Sequence, residues 1–184
     1  MKACFIGHRR LFDSTLRERL KEAIENEIKS GCEYFMVGTH GEFDVMSLNV
    51  CRELRKKYPN IHIQVVLTSL HKLKKELLYD DEFGKEYDEP YKDVETMIYD
   101  IEEEHFKRQI TISNQKMIEE CDTAICYVNR LNTSSGARKS LTHAKKKGLK
   151  IINLYDETKF PTYGMTDEEQ KEYYRKIFEK YKKR

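Results

Sequence analysis

The chain has 184 residues, enough for one domain with one hydrophobic core. Its 39% hydrophobic and 36% charged residues alternate as short apolar runs and charged stretches, which suits buried strands and amphipathic helices better than disorder, and no run approaches the roughly 18 apolar residues of a membrane span. The formal net charge of +2, from 34 basic and 32 acidic residues, is unlike that of a dedicated nucleic-acid binder.

Met1-Lys2 leads directly into Ala3-Cys4-Phe5-Ile6-Gly7. That run is too short for a signal-peptide core and reads as a first strand, with a cytoplasmic location expected. A helix follows, capped by Asp13 or Ser14, with Leu16, Leu20, Ala23, Ile24 and Glu27-Ile28 on one stripe and Gly31 at its end. Tyr34 to Val37 is the second strand. The next helix runs from about Phe43 to Lys57, with Val45, Leu48, Cys51 or Arg52 and Leu54 on its face, and Pro59 stops it. Ile61 to Leu67 is a third strand of the near-continuous apolar kind that parallel sheets bury on both faces.

From about Thr68 to Glu104 the rhythm breaks into a polar, tyrosine-rich stretch, read either as an exposed excursion with one short helix or as a lid. Phe106 to Cys121 reads as helix through Phe106, Ile110, Met117 and Cys121. Asp122 to Val128 is the fourth strand. A helix with Ala137, Leu141 and Ala144 ends at Gly148, and Ile151 to Leu154 is the fifth strand. Met165 to Arg184 reads as a charged helix packing through Tyr173, Ile177 and Tyr181. The expectation is a single domain over 1–184, with a core of about 1–155 and a helical tail over 156–184. Its class is α/β, a three-layer Rossmann-like fold with a mainly parallel central sheet.

The five cysteines, Cys4, Cys32, Cys51, Cys121 and Cys126, are an odd number without a Cys-x-x-Cys pair. Buried free thiols are therefore expected, not disulfides or structural zinc.

Three strand-to-helix turns are rich in glycine: Gly7-His8-Arg9-Arg10, Gly38-Thr39-His40-Gly41-Glu42-Phe43-Asp44, and Ser134-Ser135-Gly136-Ala137. In an open parallel sheet such turns share the carboxyl edge, where ligands bind. Glycine admits close backbone approach, and the free amides and dipole of a helix start favour an anion. Threonine and serine hydroxyls add donors, and Arg9 or Arg10 offers a charge-assisted bond to phosphate. Tight turns with no ligand, Ser134 or Ser135 merely capping a helix, are the alternative.

Cys4-Phe5-Ile6-Gly7-His8-Arg9 resembles the opening of a bacterial family in the SLOG superfamily, which gathers the Rossmann-like DprA, Lonely-guy and YpsA-like proteins. The similarity continues at Gly38-Thr39-His40-Gly41-Glu42-Phe43-Asp44, at Asn114 and Met117, at Asp122, at Gly136-Ala137 with Ala144-Lys145, and at Ile151 to Leu154. The resemblance implies binding of nucleotides or related molecules, with enzymes in some branches and binding modules or sensors in others. Lonely-guy enzymes carry a catalytic glutamate after their glycine motif. Here Ser134-Ser135-Gly136-Ala137-Arg138-Lys139-Ser140 has no acid, which argues against that activity. Relatives usually show Arg-Asn where this chain has Ser113-Asn114, so one phosphate contact is missing from the pattern.

Glu42 and Asp44 are the carboxylates of the glycine turns and the candidates for acid chemistry. Asp44 equally suits a ribose hydroxyl or the dipole of its own helix. His8 and His40 match no metal-ligand spacing with Asp44, so no metal and no cofactor are expected. The leading expectation is a binding module or sensor for a nucleotide or nucleotide-derived, phosphate-bearing ligand. An N-glycosidic hydrolase or transferase acting on nucleotides is the alternative. A DprA-type single-stranded nucleic-acid binder ranks last, because no basic, aromatic-lined groove accompanies the turns. No membrane partner is expected, and a homodimer is suggested by superfamily analogy alone.

Overall fold

The computed structural model describes residues 1–68, 91–101, 104–132, 134–156, 158 and 165–182. Contacts divide the chain into two compact units, Met1–Leu154 and Tyr155–Arg184.

The first unit alternates strand and helix: β1 (Lys2–Gly7), α1 (Leu16–Lys29), β2 (Tyr34–Val37), α2 (Glu42–Lys57), β3 (His62–Leu67), β4 (Glu95–Ile98), α3 (Phe106–Glu119), β5 (Thr123–Tyr127), α4 (Gly136–Lys147) and β6 (Lys150–Asn153). All pairings are parallel, and the sheet order is β4-β3-β2-β1-β5-β6. The α/β Rossmann-like class is as the sequence predicts. One strand was not: Glu95-Thr-Met-Ile adds an edge to β3, with Gln64 opposite Glu95 and Leu67 opposite Ile98. Its residues, two exposed and two half-buried, lack the apolar run that marked the others. The polar stretch therefore returns to the sheet after residues 69–90, where the expected short helix or lid lies outside the described residues.

Side-chain alternation sends successive residues of β1 to opposite faces. Cys4 and Ile6 join Met36, Val66 and Cys126 under Met117 and Ile118 of α3 and Leu141 and Ala144 of α4. On the other face Phe5 stacks on Phe35, with ring centroids 6.3 Å apart, and meets the edge of Phe43 from α2 at 6.4 Å. Helix α1 buries Leu16, Leu20, Ala23, Ile24 and Glu27. In α2 the buried face is Phe43, Ser47, Leu48, Val50, Cys51 and Leu54, and Val45, expected on that face, is exposed. Glu27 is only 3% exposed; its carboxylate accepts from Lys150 Nζ at 2.6 Å and Thr123 Oγ1 at 3.0 Å.

Gly31 and Gly148 close α1 and α4 with φ of 92° and 85°, the left-handed conformation that glycine adopts without strain. All five cysteines are free and buried, and burial pushes the Cys32 thiol to about 11 and that of Cys126 to about 12. The second unit holds α5 (Asp167–Lys182), which opens with a reciprocal cap. Glu169 Oε2 accepts from Thr166 N at 2.7 Å, and Thr166 Oγ1 accepts from Glu169 N at 3.3 Å. Within α5, Tyr173 meets Tyr174 edge-on. The expected packing of Ile177 and Tyr181 lies outside the described side chains. No described helix is long and apolar enough to cross a membrane.

Candidate functional site

Strand β1 lies between β2 and β5, so the chain winds one way through β2 and β3 and the other way through β5 and β6. At that reversal the loops leaving β1 and β5 diverge and leave a crevice at the carboxyl edge. A cavity of about 340 Å³ occupies it, near the lower end of the roughly 300–1,000 Å³ range of ligand pockets. Phe5, Ile6 and Gly7 form its floor, His8 and Arg9 one rim, and His40, Gly41 and Asp44 the wall toward β2. Ser135, Gly136, Ala137 and Ser140 of α4 form the opposite wall, and Ile110, Asn114 and Met117 of α3 close the side.

Each glycine there has its own reason. A Cβ on Gly7 would lie 2.2 Å from the Phe43 ring, which stacks on Tyr127 with centroids 6.1 Å apart. A Cβ on Gly41 would lie 2.9 Å from Arg9 Cα, so two of the glycine turns pass in direct contact. Glu42 N donates to Arg9 O at 2.9 Å and reinforces that crossing. At Gly136 a Cβ would meet nothing within 4 Å, and the backbone angle is ordinary. Packing requires the first two glycines; at Gly136 the space ahead of the backbone is open cleft.

The turns differ electrostatically. Helix α2, with Gly41 at its N-cap, carries Glu42 and Asp44 in its first turn. Helix α4 has no acid in its first turn. Its N-cap Ser135 accepts from Arg138 N at 3.0 Å, leaving the Gly136 and Ala137 amides, which have no acceptor inside the helix. Arg9 is exposed and makes no ion pair among the described residues. His8 Nε2 accepts from Asn129 N at 2.8 Å, and burial lowers its pKa, so the ring is neutral near pH 7 and tethers the loop after β5.

Of the residues singled out in the sequence, Gly7, His8, Arg9, His40, Gly41, Asp44, Asn114, Ser135, Gly136 and Ala137 meet in this one cleft. Gly38, Thr39 and Ser134 do not line it. The Asp44 carboxylate covers Gly38, 3.2 Å from where its Cβ would be, and Thr39 Oγ1 is buried without a hydrogen-bond partner among the described residues. Ser134 is exposed and donates to Asn132 Oδ1 at 3.2 Å. Glu42 also faces away: its carboxylate is exposed and accepts from Leu11 N at 2.7 Å. Ser140 was missed, although it stands one helical turn after Gly136 on the same face.

Residues 9–158 match the family model of the YspA SLOG family, well over half of the chain. The chain belongs to the YspA SLOG family. No curated protein matches it.

Within this SLOG domain the motif residues do unequal work. Asp44 lines the cleft while its Oδ2 accepts from His40 N at 2.8 Å, so it also shapes the β2–α2 turn. Asn114 presents its side of α3 to the cleft, whereas its neighbour Ser113 is 2% exposed and buried away from it. Among the described residues Asp44 is the one carboxylate lining the cavity and Arg9 the one full-time cation.

Proposed function

We propose that this protein is a binding module or sensor for a nucleotide or nucleotide-derived ligand that carries a phosphate. The supporting observation is the contrast between the two helix starts that face each other across the cleft. The positive end of α2 is already met by its own carboxylates, Glu42 and Asp44. The α4 start has no acid, two amides without intrahelical acceptors, and a glycine with open space before it. A phosphate belongs at α4, assisted by the Ser140 hydroxyl. Phe5, Ile110 and Met117 supply the apolar surface that such pockets need beside a few polar groups.

Native mass spectrometry of freshly purified protein, combined with thermal unfolding, tests the reading. A ligand at 100 times its dissociation constant stabilises the fold by about 2.7 kcal/mol. At about 2–4 °C per kcal/mol, the right nucleotide raises Tm by roughly 5–10 °C, and its nucleoside by clearly less. Equal shifts from nucleotide and nucleoside would remove the phosphate from the site. Release of free base during incubation, lost in Asp44→Asn, would instead make the protein an N-glycosidic enzyme with Asp44 as its acid group.

A further inference from the structure

The cleft has two poles, and the second speaks to which nucleotides fit. Neighbouring parallel strands lie about 4.8 Å apart, so the carboxyl ends of β2 and β5, on either side of β1, are about 10 Å apart. The turns that leave those two strands line one cavity of about 340 Å³. The α4 start and the β2–α2 turn with Asp44 both line the cavity, so a sugar extending from a phosphate at α4 toward the β2 side would meet Asp44. A carboxylate accepts hydrogen bonds from hydroxyls and repels anions. Helix α2 offers little compensation, because Asp44 and Glu42 already meet its positive end. His8 offers none near pH 7, since burial holds its ring neutral.

Resting on the nucleotide reading above, we infer that Asp44 makes the cleft selective for a free mononucleotide, accepting the 2′,3′-diol and rejecting a 3′-phosphate. A nucleotide inside a nucleic-acid chain carries phosphate on both sides of its sugar. The same carboxylate that favours the free ligand therefore excludes the interior of a DNA or RNA strand, and the charge arrangement itself separates this site from a nucleic-acid groove. Arg9 is the opposing candidate: its backbone passes against Gly41, close to the Asp44 pole, and a guanidinium directed at the sugar would welcome a second phosphate.

The test is thermal-shift or calorimetric titration with the four nucleoside 5′-monophosphates and the base-matched 3′,5′-bisphosphates. The wild-type protein binds its best monophosphate about tenfold more tightly than the matching bisphosphate, the ratio for one repulsive charge pair several ångströms apart at a partly solvated site. Asp44→Asn keeps an oxygen for the His40 amide but loses the charge, so bisphosphate binding strengthens while monophosphate binding weakens. That crossed change is not what general loosening of the turn produces, and apo melting curves check the fold. A second measurement needs no variant: the 2′,3′-dideoxynucleoside 5′-monophosphate binds wild type several-fold more weakly than the parent. Bisphosphate binding as tight as monophosphate, or an unchanged ratio in Asp44→Asn, overturns the inference and leaves the nucleotide reading intact. If no mononucleotide of either kind binds wild type, the nucleotide reading itself has failed and the inference falls with it.

Discussion

Gly7 and Gly136 are the same residue type at equivalent turns, and the structure separates them. Gly7 lies under Phe43 with no room for a methyl group, so Gly7→Ala overpacks the aromatic layer and costs about 1–3 kcal/mol, read as a lower denaturation midpoint. Gly136 faces open cleft, so Gly136→Val retains most of the wild-type stability while its branched carbons obstruct the phosphate position and abolish nucleotide-induced stabilisation. If Gly136→Val is well folded and a confirmed nucleotide protects it as well as wild type, the α4 turn is not the phosphate site. His8 carries a pH signature. Its pKa lies below the ordinary 6.5 because burial disfavours the charged ring, so its contribution to stability is present above pH 6.5 and is lost as pH falls through the lower folded value. Imidazole NMR should give a midpoint under 6.5, and the Asn129 amide should titrate with it, because protonation of Nε2 removes the acceptor for that N–H. A midpoint at or above 6.5 contradicts the buried, neutral assignment.

At the scale of elements, α4 depends on its cap. Ser135 Oγ is held by Arg138 N, and Arg138 in turn donates from Nε to Arg130 O at 2.9 Å, so the cap also anchors the loop from β5. Ser135→Ala loses about 1 kcal/mol, or about 2–4 °C in Tm, and weakens nucleotide binding as the first turn frays. Unchanged stability would show that the loop holds the turn without the serine. The caps at Gly31 and Gly148 were legible in the sequence, because glycine after an amphipathic stripe is a local signal. The Thr166–Glu169 cap is also local, a threonine followed three residues later by glutamate, but it was not singled out from the sequence. Glu27 was different. It falls on the apolar stripe of α1, and only its distant partners Lys150 and Thr123 make burial of that carboxylate tolerable. Strand β4 was different for the opposite reason, since an edge strand needs no continuous apolar run and its exposed Glu95 sits comfortably opposite Gln64, whose amide it accepts at 2.8 Å.

At the scale of the molecule, the site exists because the winding direction reverses at β1. Three glycine turns at one sheet edge need not share a cavity; with β1 between β2 and β5, the turns of all three strands contribute to one. The third helix supplies the wall that glycine motifs cannot reveal, through Ile110, Asn114 and Met117. Of these only Asn114 had been picked out as a site residue, and that through family resemblance. The two aromatic residues beneath the turns, Phe43 and Tyr127, tie α2 to β5 across β1, so packing in the core holds the β1 and β2 turns.

The sequence by itself determined the strand–helix alternation, five of the six strands, the helix ends at glycine, the buried thiols and the family. Each of these is written in local periodicity, in a residue with special backbone freedom, or in a motif of neighbouring residues. Only the tertiary structure decided the strand order, the two partners of Glu27 and which turn residues meet. Those depend on pairings between segments far apart in the chain, for which the sequence carries no local mark. The division of labour between the two acids is the sharpest instance. Glu42 and Asp44 stand two residues apart in one turn, and helical geometry separates them by about 200° around α2. One therefore ties down the loop from β1 and the other faces the cleft.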